Sequence, residues 1–388
     1  MKPPLHAASL LIVLTASLAP GLVLGADESA AEAGYTISLF DGKTLEGWQV
    51  TGCDAVVTDG AILLKDGDGF LRTNQRYADF VLELEWKALR EEKYDSGIYI
   101  RSELPAEGKN WPNRYQVNLL QGKEGALLGA KETGPMGLIK PGDWNRFKLT
   151  VVGASAALEI NGKPAWKVED ALEAPSGYIG IQSEVPGGGQ FLFRNLQVTE
   201  LGYQSLFNGR DFSGWEGADA EAAACWAVED GVLVGLEEKG PWLRSKQQYG
   251  DFDLRLQYKV KEGGNSGVYV RVPESGNHHG KDAGVEIQLL DDHAERYAKL
   301  KPYQFTGSVY AVAPSTQHVG RPAGEWNQLE IQTRGQSYRV THNGVVIVDA
   351  DVESFPLLEE RLLKGYLGFQ NHGGGVWLRA IRLGPPLP

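Results

Sequence analysis

Leu39-Phe-Asp-Gly-Lys-Thr-Leu-Glu-Gly-Trp48 is answered further along by Leu206-Phe-Asn-Gly-Arg-Asp-Phe-Ser-Gly-Trp215. A chain that writes one unit twice folds into two copies of one domain. Further pairs follow in the same order: Tyr77-Ala-Asp-Phe80 with Tyr249-Gly-Asp-Phe252, Ser96-Gly-Ile-Tyr-Ile-Arg101 with Ser266-Gly-Val-Tyr-Val-Arg271, and Asp143-Trp-Asn145 with Glu325-Trp-Asn327. The series ends with Asn161-Gly162 against Asn343-Gly344 and Gly177-Tyr-Ile-Gly-Ile-Gln182 against Gly365-Tyr-Leu-Gly-Phe-Gln370. Two tandem domains are expected, over residues 35–201 and 203–386. A length of 388 residues gives each copy enough chain for its own core. Residues 1–26 read as a secretory leader (signal peptide): Lys2, then the apolar Leu10-Leu-Ile-Val-Leu14, then the small-residue region Val23-Leu-Gly-Ala26. Ser9, Thr15 and Pro20 interrupt that stretch, well short of the ~20 residues of a membrane span. The expectation is an exported protein, periplasmic or secreted, with no membrane span.

Inside each copy the periodicity is that of strands. Phe80, Leu82, Leu84 and Trp86 alternate with the mostly polar Val81, Glu83, Glu85 and Lys87, and Phe252, Leu254, Leu256 and Tyr258 repeat the pattern. A period of two marks strands half buried against a core. The Asn-Gly pairs stand between strand-like runs, as hairpin turns do. The 49 glycines fit a turn-rich all-β chain, and each copy is expected to be an antiparallel β-sandwich. A net charge of −12 argues against nucleic acid as a partner, because phosphate recognition requires basic patches. Cys53 and Cys225 fall at nearly equivalent points of the two copies, too far apart to pair, so two free thiols are expected. The short linker near Glu200-Leu-Gly-Tyr203 implies that the two sandwiches touch.

Seven pieces of the second copy carry a family resemblance: Leu206 to Trp215, Asn265 to Arg271, Val285-Glu-Ile-Gln-Leu-Leu-Asp291, Thr306-Gly-Ser-Val-Tyr310, Gly324-Glu-Trp-Asn327, Gly365 to Gln370 and the adjoining Asn371-His-Gly373. In that order they resemble the DUF1080 family, the 3-keto-disaccharide hydrolases or 3-keto-glucoside lyase/hydratase domains. The resemblance implies concanavalin A-like lectin/glucanase jelly rolls and a carbohydrate substrate, a 3-keto-glycoside whose C3 hydroxyl is already oxidised to a ketone. It covers nearly all of the chain after the leader.

The two copies differ where chemistry is expected. Strand alternation puts Glu286 and Gln288 on one face of Val285–Leu290, with Asp291 at its end; the first copy has Gln116, Asn118 and Gln121 there. His372 faces Glu184, and Asp291 to Trp326 spans 35 positions where Gln121 to Trp144 spans 23. The longer segment brings His293, Arg296, Tyr297 and Lys299. Joint loss of two carboxylates, a histidine and a loop points to a catalytic site in the second copy and a degenerate one in the first.

The ketone acidifies the C2 hydrogen, so a base removes it and the C1 substituent leaves by β-elimination, water then adding back. Glu286, His372 and Asp291 are the catalytic candidates. Arg271, Gln288, Gln370, Tyr269, Tyr310 and His293 are the candidates for holding the sugar. This reading requires Arg271, Glu286, Gln288, Asp291 and His372 to meet in one pocket. His278-His279 lack metal-ligand spacing and are expected at the surface. No metal or other cofactor is expected; calcium is possible, but no Asp-rich loop with ligand spacing is present. Two other functions compete: a non-catalytic lectin-like protein and a conventional glycosidase using Glu286 and Asp291 as paired carboxylates.

Overall fold

The structure, a computed structural model, describes residues 34–129, 133, 137–218, 220–236, 240, 242–373 and 375–388. The leader expected over residues 1–26 lies outside the described residues. Almost every element is a β-strand; among the described residues the only α-helical turn is Val185–Gly188. The segment Ala294–Leu300 carries a single 3-10 turn at Glu295–Tyr297.

The alternation translates directly into layers. Phe80, Leu82, Leu84 and Trp86 are buried in one core, and Phe252, Leu254, Leu256 and Tyr258 in a second. Both Asn-Gly pairs turn hairpins with φ positive at each residue, 53° and 76° at Asn161-Gly162 and 47° and 81° at Asn343-Gly344, the geometry that favours this dipeptide. In the first copy one long strand, Ala61–Tyr77, serves both layers. Its Ile62–Leu64 pairs with Phe191–Phe193 and its later residues with Gly177–Glu184, so the sandwich closes as one curled 12-stranded sheet. In the second copy the corresponding chain is divided into Val232–Gly235 and Leu243–Tyr249, and the two layers are separate sheets of eight and five strands. The result is the expected all-β class, two jelly-roll sandwiches in tandem.

Asp253 and Arg255 depart from the alternation, because both are fully buried on the outer face of Phe252–Val260. Glu200, on the last strand of the first sandwich, covers them. It accepts hydrogen bonds from Arg255 and Arg382. Arg382 also donates to Gln75 at 3.0 Å and Tyr203 to Asp253 at 2.7 Å, while Asn74 reaches Gln328 at 3.1 Å. Burial alone would raise the Glu200 carboxyl, but the two guanidiniums outweigh it and hold its pKa below the usual range.

Cys53 and Cys225 are not joined to each other in a disulfide. Among the described residues no helix is long and apolar enough to cross a membrane.

Candidate active site

The five-stranded sheet of the second sandwich runs Trp215–Gly217, Leu243–Tyr249, Gly365–Phe369, Asn265–Val272, Val285–Leu290. One face carries Val268, Val270, Val285, Ile287 and Leu289 into the core. The opposite face therefore presents Gly267, Tyr269, Glu286 and Gln288, with Tyr269 registered against Glu286 and Gly267 against Gln288. Gly267 is required there: a Cβ would lie 2.2 Å from Glu286 Oε1. The missing side chain makes room for the carboxylate.

Glu286 is buried and meets His278, whose Nε2 stands 3.1 Å from Glu286 Oε2. His278 is fixed from three sides. Its Nδ1 lies 3.1 Å from the Gly276 carbonyl, its ring stacks on Tyr269 at 4.8 Å, and Arg361 donates to the carbonyls of His278 and Gly280. Burial disfavours the imidazolium, but the hydrogen bond and charge of Glu286 outweigh burial and raise the His278 pKa. His279, at 4.0 Å ring to ring, goes the other way, lowered by burial and then by the charge of His278. Two adjacent histidines are thus driven apart in protonation, the arrangement by which one site holds both an acid and a base.

Aromatic rings and amides enclose this pair. Trp242 packs edge-on against Tyr269 at 5.2 Å and lies over Gly368, where a Cβ would be 2.2 Å from the indole. Gln370 Nε2 donates to the Tyr269 hydroxyl at 3.2 Å, and its Oε1 is buried with no partner among the described residues. Gln288 is buried one pleat from Glu286. Tyr310 belongs to the longer segment; its backbone N–H donates to the Glu286 carbonyl at 2.8 Å and its ring stands 5.7 Å from His279. In the first copy an amide replaces Glu286 on the same face: Gln116 donates to Gln182, the counterpart of Gln370, and Gln182 donates to the Glu184 carboxylate at 2.8 Å.

Of the residues singled out in the sequence, Glu286, Tyr269, Gln288, Gln370 and Tyr310 come together. The required convergence of five residues does not occur, since Arg271, Asp291 and His372 lie elsewhere, as does His293.

Strict alternation from Tyr269 would place Arg271 on the same face, but it does not hold here. The strand shifts register between Tyr269 and Val272, Arg271 takes a φ of 54°, and its buried guanidinium is spent on the Gly250 carbonyl and Asp251. Arg101 makes the same contacts in the first copy, with Ala78 and Asp79.

Asp291 points away from Glu286. Its carboxylate accepts the backbone N–H of Gly263 at 2.8 Å and of His293 at 3.3 Å, and Gln121 does the same work in the first copy by accepting Lys93 N–H. Five residues of strand separate Asp291 from Glu286, ~16 Å, too far for the paired carboxylates of a glycosidase. His293 is exposed, with its Nε2 against the Gly320 carbonyl at 3.1 Å. His372 is exposed and lines a separate cavity with Lys261, Arg296 and Tyr297.

The expectation that both His278 and His279 sit at the surface is overturned for His278. A signal for it was present in the sequence: apart from His6, every histidine of the chain lies in the second copy.

The chain matches the 3-keto-alpha-glucoside-1,2-lyase-like domain twice, over residues 35–199 and 202–384. It is 28% identical to a 3-keto-disaccharide hydrolase of Bacteroides thetaiotaomicron, over 48% of this chain and 80% of that protein. A crystal structure from Parabacteroides distasonis, of a protein provisionally named a glycosyl hydrolase, is 26% identical and covers 47% of this chain and 93% of its own, with a TM-score of 0.43. A Bacillus licheniformis β-glucanase structure is 13% identical and covers 43% of this chain and 97% of its own, with a TM-score of 0.33. Both sandwiches, the one with the Glu286–His278 pair and the one with Gln116 at the Glu286 position, are copies of one domain, and the chain belongs to the 3-keto-alpha-glucoside-1,2-lyase-like family.

Proposed function

We propose that the second sandwich cleaves 3-keto-glycosides by removing the C2 proton and eliminating the C1 substituent, with Glu286 as base and His278 as acid. The observation that carries this reading is the 3.1 Å Glu286–His278 contact, in which the carboxylate is replaced by the Gln116 amide in the first copy.

Glu286 takes the C2 hydrogen as a proton, and the electron pair of that bond moves toward the C3 carbonyl to form an enolate. Tyr269 donates its hydroxyl proton in a hydrogen bond to that oxygen, a role supported by its register against Glu286. Burial and the Glu286 charge push its pKa up to about 12, so it stays a donor. As the enolate collapses back to the ketone, a double bond forms between C1 and C2, the bond from C1 to the leaving oxygen breaks, and His278 protonates that oxygen. The proton on Glu286 then crosses to His278 and restores the starting charges. Water adds its oxygen to C1 and a proton to C2, so the net change is hydrolysis. These steps call on side chains alone. Trp242 supports the sugar face, and Gln370 and Gln288 meet its hydroxyls.

The first sandwich lacks the base and serves as a scaffold or sugar-holding partner. With the leader read over residues 1–26, the place of action is outside the cytoplasm. The test pairs a 3-keto-disaccharide with its unoxidised parent. Turnover of the first, indifference to the second and loss of turnover in Glu286→Gln are expected. Cleavage of the parent would make it an ordinary glycosidase, and tight binding of either without turnover a lectin-like protein.

A further inference from the structure

Glu286 has a tyrosine on each side of its strand. Tyr269 is registered against it from Asn265–Val272. On the other side residues 306–310 run along Val285–Leu290 as a short added edge. Gly307 donates to the Gln288 carbonyl at 2.8 Å, Gln288 to the Ser308 carbonyl at 3.1 Å and Tyr310 to the Glu286 carbonyl at 2.8 Å, with Val309 bridged to Ile287. Val309 and Ile287 are buried in the core, so alternation turns Tyr310 to the face that carries Glu286. The row across the sheet is therefore Tyr269, Glu286, Tyr310, at the ~4.8 Å spacing of neighbouring strands. In the first copy the same row reads Tyr99, Gln116, Leu128.

Tyr310 is held in place. Directly after it Ala311 takes a φ of 60°, a left-handed conformation that is costly for a residue with a Cβ. The Val312 and Ala313 N–H groups both reach back to the Val309 carbonyl at 2.9 Å. Gln304 Nε2 donates to the Tyr310 hydroxyl at 2.9 Å, and Gln304 Oε1 accepts the Lys301 N–H at 3.0 Å. Tyr303 stands edge-on to Tyr310 at 6.1 Å. Neighbouring rings thus follow one another from Tyr269 through His278 and His279 to Tyr310 and Tyr303. His279 is exposed, and Tyr303 and Tyr310 are half-buried, so this end of the series keeps ring surface open to a ligand. Tyr303 and Gln304 lie in the part by which this copy exceeds the first: Asp291 to Thr306 spans 15 positions where Gln121 to Glu124 spans 3.

The order of the row fits the order of the substrate's atoms. With Glu286 at C2 and Tyr269 at the C3 oxygen, C1 and its substituent extend to the side of Tyr310. We propose that Tyr310, Tyr303 and His279 form the subsite for the C1 substituent, a ring with an apolar face, and so set which leaving groups are accepted. The proposal rests on the reading that Glu286 removes the C2 proton. A second sugar offers such a face through its C–H groups and an aryl group through its π-face; either packs on tyrosine.

Calorimetry on the full chain carrying Glu286→Gln tests it with three 3-keto-glucosides that differ only at C1, bearing a glucosyl, a phenyl or a methyl group. At least one ring-bearing ligand binds about three- to tenfold more tightly than the methyl glucoside, the increment of a stacked ring, and the ratio of the two ring arms tells sugar from aryl. Tyr310→Leu and Tyr303→Ala each cut the preference, and the two together bring it near unity. Tyr310→Leu repeats what the first copy holds at Leu128, so the fold accommodates it. Equal binding of all three ligands overturns the proposal, as does a preference that survives both substitutions. Affinity is read without turnover, so loss of the preference leaves the elimination chemistry standing. Cleavage of these ligands by the Glu286→Gln chain would instead tell against the base, and the same preference would then be read from kcat/KM.

Discussion

His278 Nε2 lies 3.1 Å from Glu286 Oε2, and the imidazole is stacked on Tyr269, which is registered against that same glutamate. Replacing Glu286 by Gln reproduces residue 116 of the first copy, keeping the shape and removing the base. On a 3-keto-glucoside, kcat falls ~10²–10⁴-fold with KM changed little. His278→Gln falls within the same range. Steady-state kinetics on both variants checks this.

The raised His278 pKa fixes the sense of the pH dependence. The acid must be protonated, so activity is lost as pH rises through a value above the ordinary ~6.5 of histidine. For stability the sign is the same. A group whose folded pKa is raised contributes fully below its unfolded pKa, and the contribution disappears as pH rises through the folded value. An NMR titration of the His278 ring should show the raised value in the native protein and a drop in Glu286→Gln, where burial is left without its largest opponent.

Glu200 holds Arg255 and Arg382 with all three side chains buried. Glu200→Ala strands two buried guanidiniums and costs about 3–5 kcal/mol. Glu103→Ala, at the exposed Arg76 pair, costs about 1 kcal/mol or less. Because the folded pKa of Glu200 is lowered, its contribution is present above the unfolded value and disappears as pH falls through the folded one. Urea titrations of both variants at neutral and acid pH measure the difference.

Asp291→Asn keeps an acceptor for the Gly263 N–H, as Gln121 does for Lys93. Turnover should change less than about threefold, whereas Asp291→Ala loosens the turn and costs about 1–3 kcal/mol. A loss of ~10²-fold or more in the Asn variant would return Asp291 to the reacting groups.

The placement of Glu286 on the face away from the core was legible, because one difference between the copies, Glu against Gln116, falls on a face that alternation defines without structural knowledge. The same comparison misled at Asp291, since an amide and a carboxylate accept the same backbone N–H and the change of charge carries no change of role. Arg271 was misplaced by a register shift that alternation does not encode. Its counterpart Arg101, kept in the copy without the carboxylate, marked it as scaffold. His278 escaped because its place beside Glu286 depends on a loop folding back over the sheet, with Arg361 donating to the carbonyls of His278 and Gly280. The tandem sandwiches were legible throughout, because period-two burial and Asn-Gly turns act locally. The burial of Asp253 and Arg255 was not, because it depends on a face supplied by the other copy.

Removal of the C2 proton is the center of the account, and solvent deuterium reads it directly. A 3-keto-disaccharide hydrolysed in D2O should give 3-keto-sugar carrying deuterium at C2, above a control in which the product alone is held in D2O with the enzyme's Glu286→Gln variant. Product that keeps its original C2 hydrogen while the glycosidic bond is cleaved at full rate would contradict it.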